Sequence, residues 1–194
     1  MRRDTRTNTF NSSFMSCEKD IETILKKLFV ESQPYSNMLK RLLVINTKDC
    51  LENDSEAVTD IINNCSLSKL VKEGYIKLEP KIQFEEHEEV KAYIVISLDN
   101  FTSNSTNEYY RDCTVNFDVI CYTDYWNIGN YRLRPLKIAG YIDGILNEAK
   151  LSGIGTFNFL GCNELILDER LSGYTLSYRA IHGNDDNLPP KEED

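Results

Sequence analysis

The stretch that decides the fold is Cys113-Thr-Val-Asn-Phe-Asp-Val-Ile-Cys-Tyr-Thr123, in which apolar and polar side chains alternate. Alternation with a period of two places the apolar side chains on one face of a strand. A second stretch, Ala92-Tyr-Ile-Val-Ile-Ser-Leu98, has the same bias toward β-branched and aromatic residues. The sequence therefore predicts two strands, with residues 99–111 forming a long polar connection that projects from the sheet. The apolar strand over 92–98 is expected to leave an open edge of the sheet.

A helix and further strands follow this pair. Pro135 favours the first turn of a helix, and the apolar residues after it share one narrow stripe: Ile138, Ile142, Ile145, Leu146 and Ala149. After Gly153 and Gly155, three further stretches have the composition of strands: Phe157–Leu160, Glu164–Asp168 and Gly173–His182. The order β-β-α-β-β predicts an α+β fold, in which an antiparallel sheet is covered by a helix on one face.

The residues before the first strand predict an N-terminal helical region. Four start signals lie within it: Ser16 for a helix through about Val30, Pro34 for a helix ending near Asn46, Asn53 with Glu56 for a helix over 54–64, and Ser66 for a turn ending at Gly74. The chain is thus divided into an N-terminal arm (1–15), a helical region leading into the sheet (16–91), an α+β core domain (92–183) and an acidic C-terminal tail (184–194).

Composition narrows the classes of function. The chain has 194 residues and a net charge of −9, which opposes any sequence-independent grip on nucleic-acid phosphates. An acidic wall can still let DNA slide past without specific binding. No apolar run approaches the roughly 20 residues that cross a bilayer, and no secretory signal is expected. We therefore expect the protein to stay in a cytoplasm and to make no contact with a membrane.

The sequence contains little that predicts chemistry. Six cysteines occur without a C-x-x-C pair and are interpreted as buried thiols. Cys162, between Gly161 and Asn163, is the best candidate for a nucleophile, but a turn residue is the commoner explanation. His87 among glutamates is interpreted as part of a solvated segment. We expect no cofactor, no metal site and no enzymatic activity.

One enzymatic alternative remains open, a Mg²⁺-dependent nuclease. Such enzymes place Glu-x-Lys on a strand beside an aspartate, so that carboxylates hold the metal and the lysine steadies the phosphate. Glu89-Val90-Lys91 precedes the first predicted strand and Asp99 follows it, while Glu148-Ala149-Lys150 lies at the end of the predicted helix. Short matches of this kind are frequent in charged chains.

Ten residues form a candidate oligomer interface. The N-terminal arm combines cationic and aromatic side chains, which could lie on an acidic surface of a neighbouring copy. The polar connection carries further aromatic residues. Two glycines lie off the apolar stripe of the helix, and their cost in helix stability suggests that another backbone comes close there. The residues are Arg2, Arg3, Arg6, Phe10, Phe14, Phe101, Tyr109, Tyr110, Gly140 and Gly144.

The second half of the chain resembles the tail-terminator (tail-completion, head–tail joining) proteins of long-tailed bacteriophages. The stretches that carry the resemblance are the strand Tyr110–Tyr122, the turn and helix Tyr131–Ala149, and the closing strand Tyr174–Ile181. The resemblance implies a virion protein that forms a closed ring, usually six-fold. Such a ring caps the tail tube and joins it to the head connector.

The partners implied are therefore further copies of the chain, the tail tube protein and the head–tail connector protein, with a contact to the tail sheath left open. Another component of the neck, a connector or adaptor between portal and tail, is the alternative within the same class.

Overall fold

The computed structural model describes residues 14, 17–78, 90–106 and 110–182. Helices dominate the first part of the chain and a sheet the second. The helices are α1 (Cys17–Lys26), α2 (Tyr35–Val44), α3 (Glu56–Asn63), α4 (Leu67–Lys72) and α5 (Arg134–Leu146), and the strands are β1 (Ile76–Lys77), β2 (Ala92–Ser103), β3 (Arg111–Tyr122), β4 (Lys150–Leu151), β5 (Gly155–Thr156), β6 (Asn158–Ile166) and β7 (Leu171–His182).

The main sheet has five strands in the order β1-β2-β3-β7-β6. β3 lies at its centre and is antiparallel to β2 on one side and to β7 on the other. The alternating sequence of β3 gives the strand two different faces. Val115, Phe117 and Val119 are buried on one face, while Asn116 and Asp118 lie on the other. The α+β class predicted from the sequence is confirmed. The sheet is antiparallel from β2 to β6, and β1 adds a short parallel strand beside β2.

Helix α5 packs against β3 and β7 on the apolar face of the sheet. The predicted stripe is buried at Ile138, Ile142, Ile145 and Leu146, so the helix covers the sheet as expected. The helix ends at Leu146 rather than near Ala149. Tyr178 of β7 donates a hydrogen bond to Asp143 of α5 at 2.9 Å, which fixes the helix along the sheet.

The helical region contributes to the same core as the sheet. Ile24, Leu28 and Leu42 are fully buried in one cluster with the strand residues. The helix that begins at Cys17 continues as a π-helical turn over Lys27–Glu31, and Pro34 precedes α2 as predicted. No helix in the described part of the chain is long and apolar enough to span a bilayer.

The helix caps confirm one predicted start and correct another. Ser66 accepts a hydrogen bond from the backbone N–H of Lys69 and caps α4, as expected. Helix α3 is capped by Ser55, whose hydroxyl accepts from the N–H of Val58. Asn53 instead accepts from the N–H of Ser55. Its side chain forms the turn before the helix, which is why the helix starts two residues later than predicted.

Three expectations about the sheet were wrong in detail. The polar connection is shorter than residues 99–111, because β2 continues to Ser103 and β3 begins at Arg111, with an irregularity between Asp99 and Thr102. The strand over 92–98 is not an open edge, since its first five residues are buried and β1 pairs with Ile94 and Val95. Cys162 lies within β6 rather than in a turn.

Candidate assembly surface

The outer edge of β6 is an open edge of the sheet. Among the described residues β6 pairs with β7 alone, so the backbone groups on its other side face outward. Leu160 is 57% exposed and Ile166 75% exposed. An exposed apolar edge strand is a template for pairing with another chain.

A local irregularity shapes this edge. The register between β6 and β7 shifts between Phe159 and Gly161, so Leu160 is the extra residue. Phe159 packs on Tyr178 with 5.6 Å between ring centroids, which keeps it on the helix-covered face. The bulge therefore presents Leu160 outward, where a single domain gains nothing from an apolar side chain.

The uncovered face of the sheet is polar and hydrogen-bonded. Thr175 donates to Asp118 and Ser177 donates to Asn116, both at 2.6 Å. Asn116 in turn donates to Asp99 at 2.9 Å. This face carries carboxylates and neutral polar groups that are held in position by hydrogen bonds.

A buried cluster joins the two ends of the described chain. Nδ1 of His182, at the end of β7, is hydrogen-bonded to the carboxylate of Asp20 in α1, and both side chains are buried. Phe101 packs on the His182 ring at 5.5 Å, and Phe14 packs on Phe101 at 5.0 Å between ring centroids. Sequence reasoning missed the cluster, because Asp20 and His182 are 162 positions apart.

The cluster also includes the thiol of Cys17. A thiol, a histidine and a carboxylate in a row form the arrangement found in some nucleophilic enzymes. Sγ of Cys17 lies 3.8 Å from Nε2 of His182. Burial, reinforced by the negative charge of Asp20, raises the pKa of the Cys17 thiol above its usual value. An activated nucleophile needs a shift in the opposite direction. The arrangement fastens α1 to the end of β7 and favours the neutral thiol.

The candidate interface residues fall into separate groups. Phe14 and Phe101 pack together as described, and Tyr110 lines a groove beside the β4–β5 hairpin. Gly140 and Gly144 lie on the exposed side of α5, where a Cβ added at either position would meet no atom within 4 Å. Both positions are thus open to a neighbour. The others, Arg2, Arg3, Arg6, Phe10 and Tyr109, lie outside the described residues.

Arg134 is another structural residue that sequence reasoning missed. Its side chain is 1% exposed. Nη1 donates to the carbonyls of Leu42 and Ile45 at 2.6 and 2.8 Å, Nη2 to that of Thr47 at 3.0 Å, and Nε to that of Tyr125 at 3.0 Å. One signal was available in the sequence: a cation in the first turn of a helix is unfavourable there, because the N-terminal end of the helix dipole is positive. Arg134 faces the end of α2 instead.

The residues proposed for metal-dependent chemistry are placed as follows. Glu89 and His87 lie outside the described residues. The Lys91 ammonium lies 5.0 Å above the Tyr122 ring, Asp99 is bonded to Asn116, and Glu148 and Lys150 are exposed. Within the described ranges no group of three or more His, Cys, Asp or Glu residues could hold a metal ion.

The thiols are mostly buried, as expected. Cys50, Cys65, Cys113 and Cys121 are buried, Cys17 is half-buried, and Cys162 is exposed, contrary to the prediction. Burial raises the pKa of Cys113 and of Cys121 to about 12. These two thiols stay protonated and fill the core.

Fold and surface together define a class, an α+β protein whose sheet presents an open apolar edge. The sequence matches the YomW family over residues 36–180, three quarters of the chain. The chain belongs to the YomW family, which is phage-derived. No curated protein matches the sequence.

One similar solved structure is a chain from the virion of a native gene transfer agent particle. The identity is 16%, the match covers 63% of this chain and 88% of that chain, and the TM-score is 0.41. These values describe a partial similarity, which by itself assigns neither fold nor function.

Proposed function

We propose that this protein is a structural protein of a tailed-bacteriophage virion, and that it is the tail terminator. In this role a ring of six copies caps the tail tube, stops its polymerisation and joins it to the head connector. Membership in a phage-derived family supports the general part of the proposal. The observation that supports assembly of copies into a ring is the open β6 edge, with Leu160 and Ile166 exposed on it.

In a closed ring, the open β6 edge would form a contact between neighbouring copies. A ring subunit presents one surface to the copy before it and a different surface to the copy after it. An unpaired strand supplies backbone donors and acceptors for one of these contacts, and burying its apolar side chains favours association. The arm residues and aromatics of the candidate interface, with Gly140 and Gly144, belong to the same proposal as further contacts between copies.

The charge of the chain fits a conduit for DNA. A net charge of −9 repels phosphates, and the polar face of the sheet carries Asp99 and Asp118 among neutral partners. DNA would then pass without specific binding. The proposed role needs no catalysis, no cofactor and no membrane, and it places the protein, made in the host cytoplasm, in the neck of the virion.

Deleting the gene from the phage is expected to produce overlong tails and separate DNA-filled heads, because nothing would stop the tube from growing. Electron microscopy of the lysate measures tail length, and expression of the wild-type chain from a plasmid is the control. Tails of normal length that fail to join heads would assign a connector or adaptor role instead. Normal virions would contradict both roles.

Replacing Leu160 and Ile166 together by lysine is expected to prevent ring formation while leaving the subunit folded. Lysine on an edge strand opposes pairing with another strand, and both positions are already exposed. Light scattering and negative-stain images measure assembly, and the melting temperature reports the fold.

The matched control for this variant is Ile61→Lys, an exposed apolar residue of α3, 41% exposed and remote in sequence from the sheet. We expect it to assemble like the wild type. Wild-type assembly by the double variant would exclude the β6 edge as the contact.

A further inference from the structure

A groove lies over the exposed side of α5 and the loop before it. It has a volume of about 610 Å³ and is lined by aromatic, apolar and cationic side chains, among them Tyr131, Arg132, Leu136, Lys137, Gly140 and Tyr141. Tyr35 of α2 extends the aromatic lining, with 6.3 Å between its ring centroid and that of Tyr141. Gly140 leaves the helix side of the groove open.

One aromatic residue of the groove, Tyr131, has an unusual backbone conformation. Tyr131 is fully exposed, with a positive φ of 60° that follows another positive φ at Asn130. A bulky residue in the left-handed region is uncommon and costs free energy. At Tyr131 this conformation leaves an exposed aromatic side chain on the rim of the groove, where it is available to a ligand.

Lys137 gives the groove an available positive charge. No described residue forms an ion pair with it, whereas Arg132 is engaged by Glu52 at 2.5 Å. In a chain with a net charge of −9, an aromatic groove with this one available cation fits a ligand that is acidic and rich in proline.

The C-terminal tail has this chemistry. Residues 184–194 read Asn-Asp-Asp-Asn-Leu-Pro-Pro-Lys-Glu-Glu-Asp. Leu-Pro-Pro thus has two carboxylates before it and three after it, and Lys191 follows the second proline directly. Two consecutive prolines favour the polyproline II conformation, which docks on aromatic grooves at a low cost in entropy.

We propose that this groove binds the C-terminal tail of a second copy of the chain, with Leu188-Pro189-Pro190 against the aromatic side chains and the flanking carboxylates near Lys137 and Arg132. The proposal concerns contact between copies and does not depend on the position of the protein in a virion.

Reach favours exchange of tails between copies. The loop before α5 lies near the start of β7, since Trp126 packs on Tyr174, whereas the tail leaves from His182 at the end of that strand. The eight residues between Tyr174 and His182 span about 26 Å. Six extended residues, from His182 to Leu188, reach about 21 Å, and the tail must also pass to the outer side of α5. A tail from another copy does not have to cover this path along its own strand.

The test uses the full chain with a photo-crosslinking phenylalanine analogue, p-benzoylphenylalanine, in place of Tyr131. Mixing ¹⁵N-labelled and unlabelled protein before irradiation separates links between chains from links within one chain. We expect the main cross-link to join position 131 of one chain to residues 184–194 of the other. The same probe at Ile61, exposed on α3, is the control and should give no link to the tail.

A charge swap tests the recognition itself. Lys137→Glu should lower the yield of the cross-link about five-fold, since an attraction becomes a repulsion. Replacing Glu192 and Glu193 by lysine in the same chain should restore it. Links within one chain only would overturn the exchange of tails, and the lack of any link to the tail, or a yield indifferent to both changes, would overturn the proposal.

Discussion

Replacing Gly173 by alanine is expected to abolish folding, or to lower the free energy of unfolding by more than about 4 kcal/mol. A Cβ at this position would lie 1.7 Å from the carbonyl oxygen of Val119 and 2.8 Å from its carbonyl carbon. These are backbone atoms of the central strand β3, which is paired on both sides. They cannot move away without breaking the ladder, so the clash cannot be relieved by a side-chain rotation.

The measurement is urea unfolding of the purified variant, or its yield of soluble protein if it does not fold. Gly161→Ala is the matched control, because Gly161 lies in the neighbouring strand and a Cβ there would meet no atom within 4 Å. We expect the control to change stability by less than about 1 kcal/mol. Wild-type stability in Gly173→Ala would show that the two strands are further apart than the structure places them.

Gly173 illustrates what sequence patterns can and cannot predict. The sequence indicates a strand from this glycine onward, because the alternation at Tyr174, Leu176 and Tyr178 is a local signal. The strand in fact begins at Leu171. A glycine in a strand pattern can mark the end of the strand or a close approach of another backbone. The short distance to the backbone of Val119 in the folded protein shows that Gly173 is the second case.

The same division holds for the elements of the fold. β3 and α5 were predicted well because their residues alternate with the period of a strand or a helix over more than ten positions. The last part of β2 was missed because Asp99 to Ser103 are polar apart from Phe101 and show no alternation. Pairing with β3 makes them a strand. β1 was missed because two residues carry no periodic signal.

The candidate surface was harder to predict than the fold. Sequence reasoning expected an open edge at residues 92–98, since an apolar strand looks the same whether its edge is paired or not. The helical region covers that strand, and the open edge falls to β6, where Leu160 and Ile166 are exposed. Which strand ends a sheet depends on strand order, and strand order depends on contacts between distant residues.

Arg134 is the second residue for which a large loss is expected. Its guanidinium satisfies four backbone carbonyls, two of them at the C-terminal end of α2. The last carbonyls of a helix have no partner within the helix and need hydrogen-bond donors when they are buried. A cation at this end also interacts favourably with the negative end of the helix dipole. The side chain therefore ties α2, the segment after it and the start of α5 together.

Arg134→Met keeps the length of the side chain and removes every donor, so it is expected to cost about 3–5 kcal/mol in urea unfolding. Arg134→Lys retains one charged group that can reach fewer carbonyls, and should fall between methionine and wild type. The control is Arg132→Met, which removes a more exposed pair with Glu52 and should cost at most about 1 kcal/mol. If both methionine variants lose the same small amount, the buried guanidinium does not hold the helical region to the sheet.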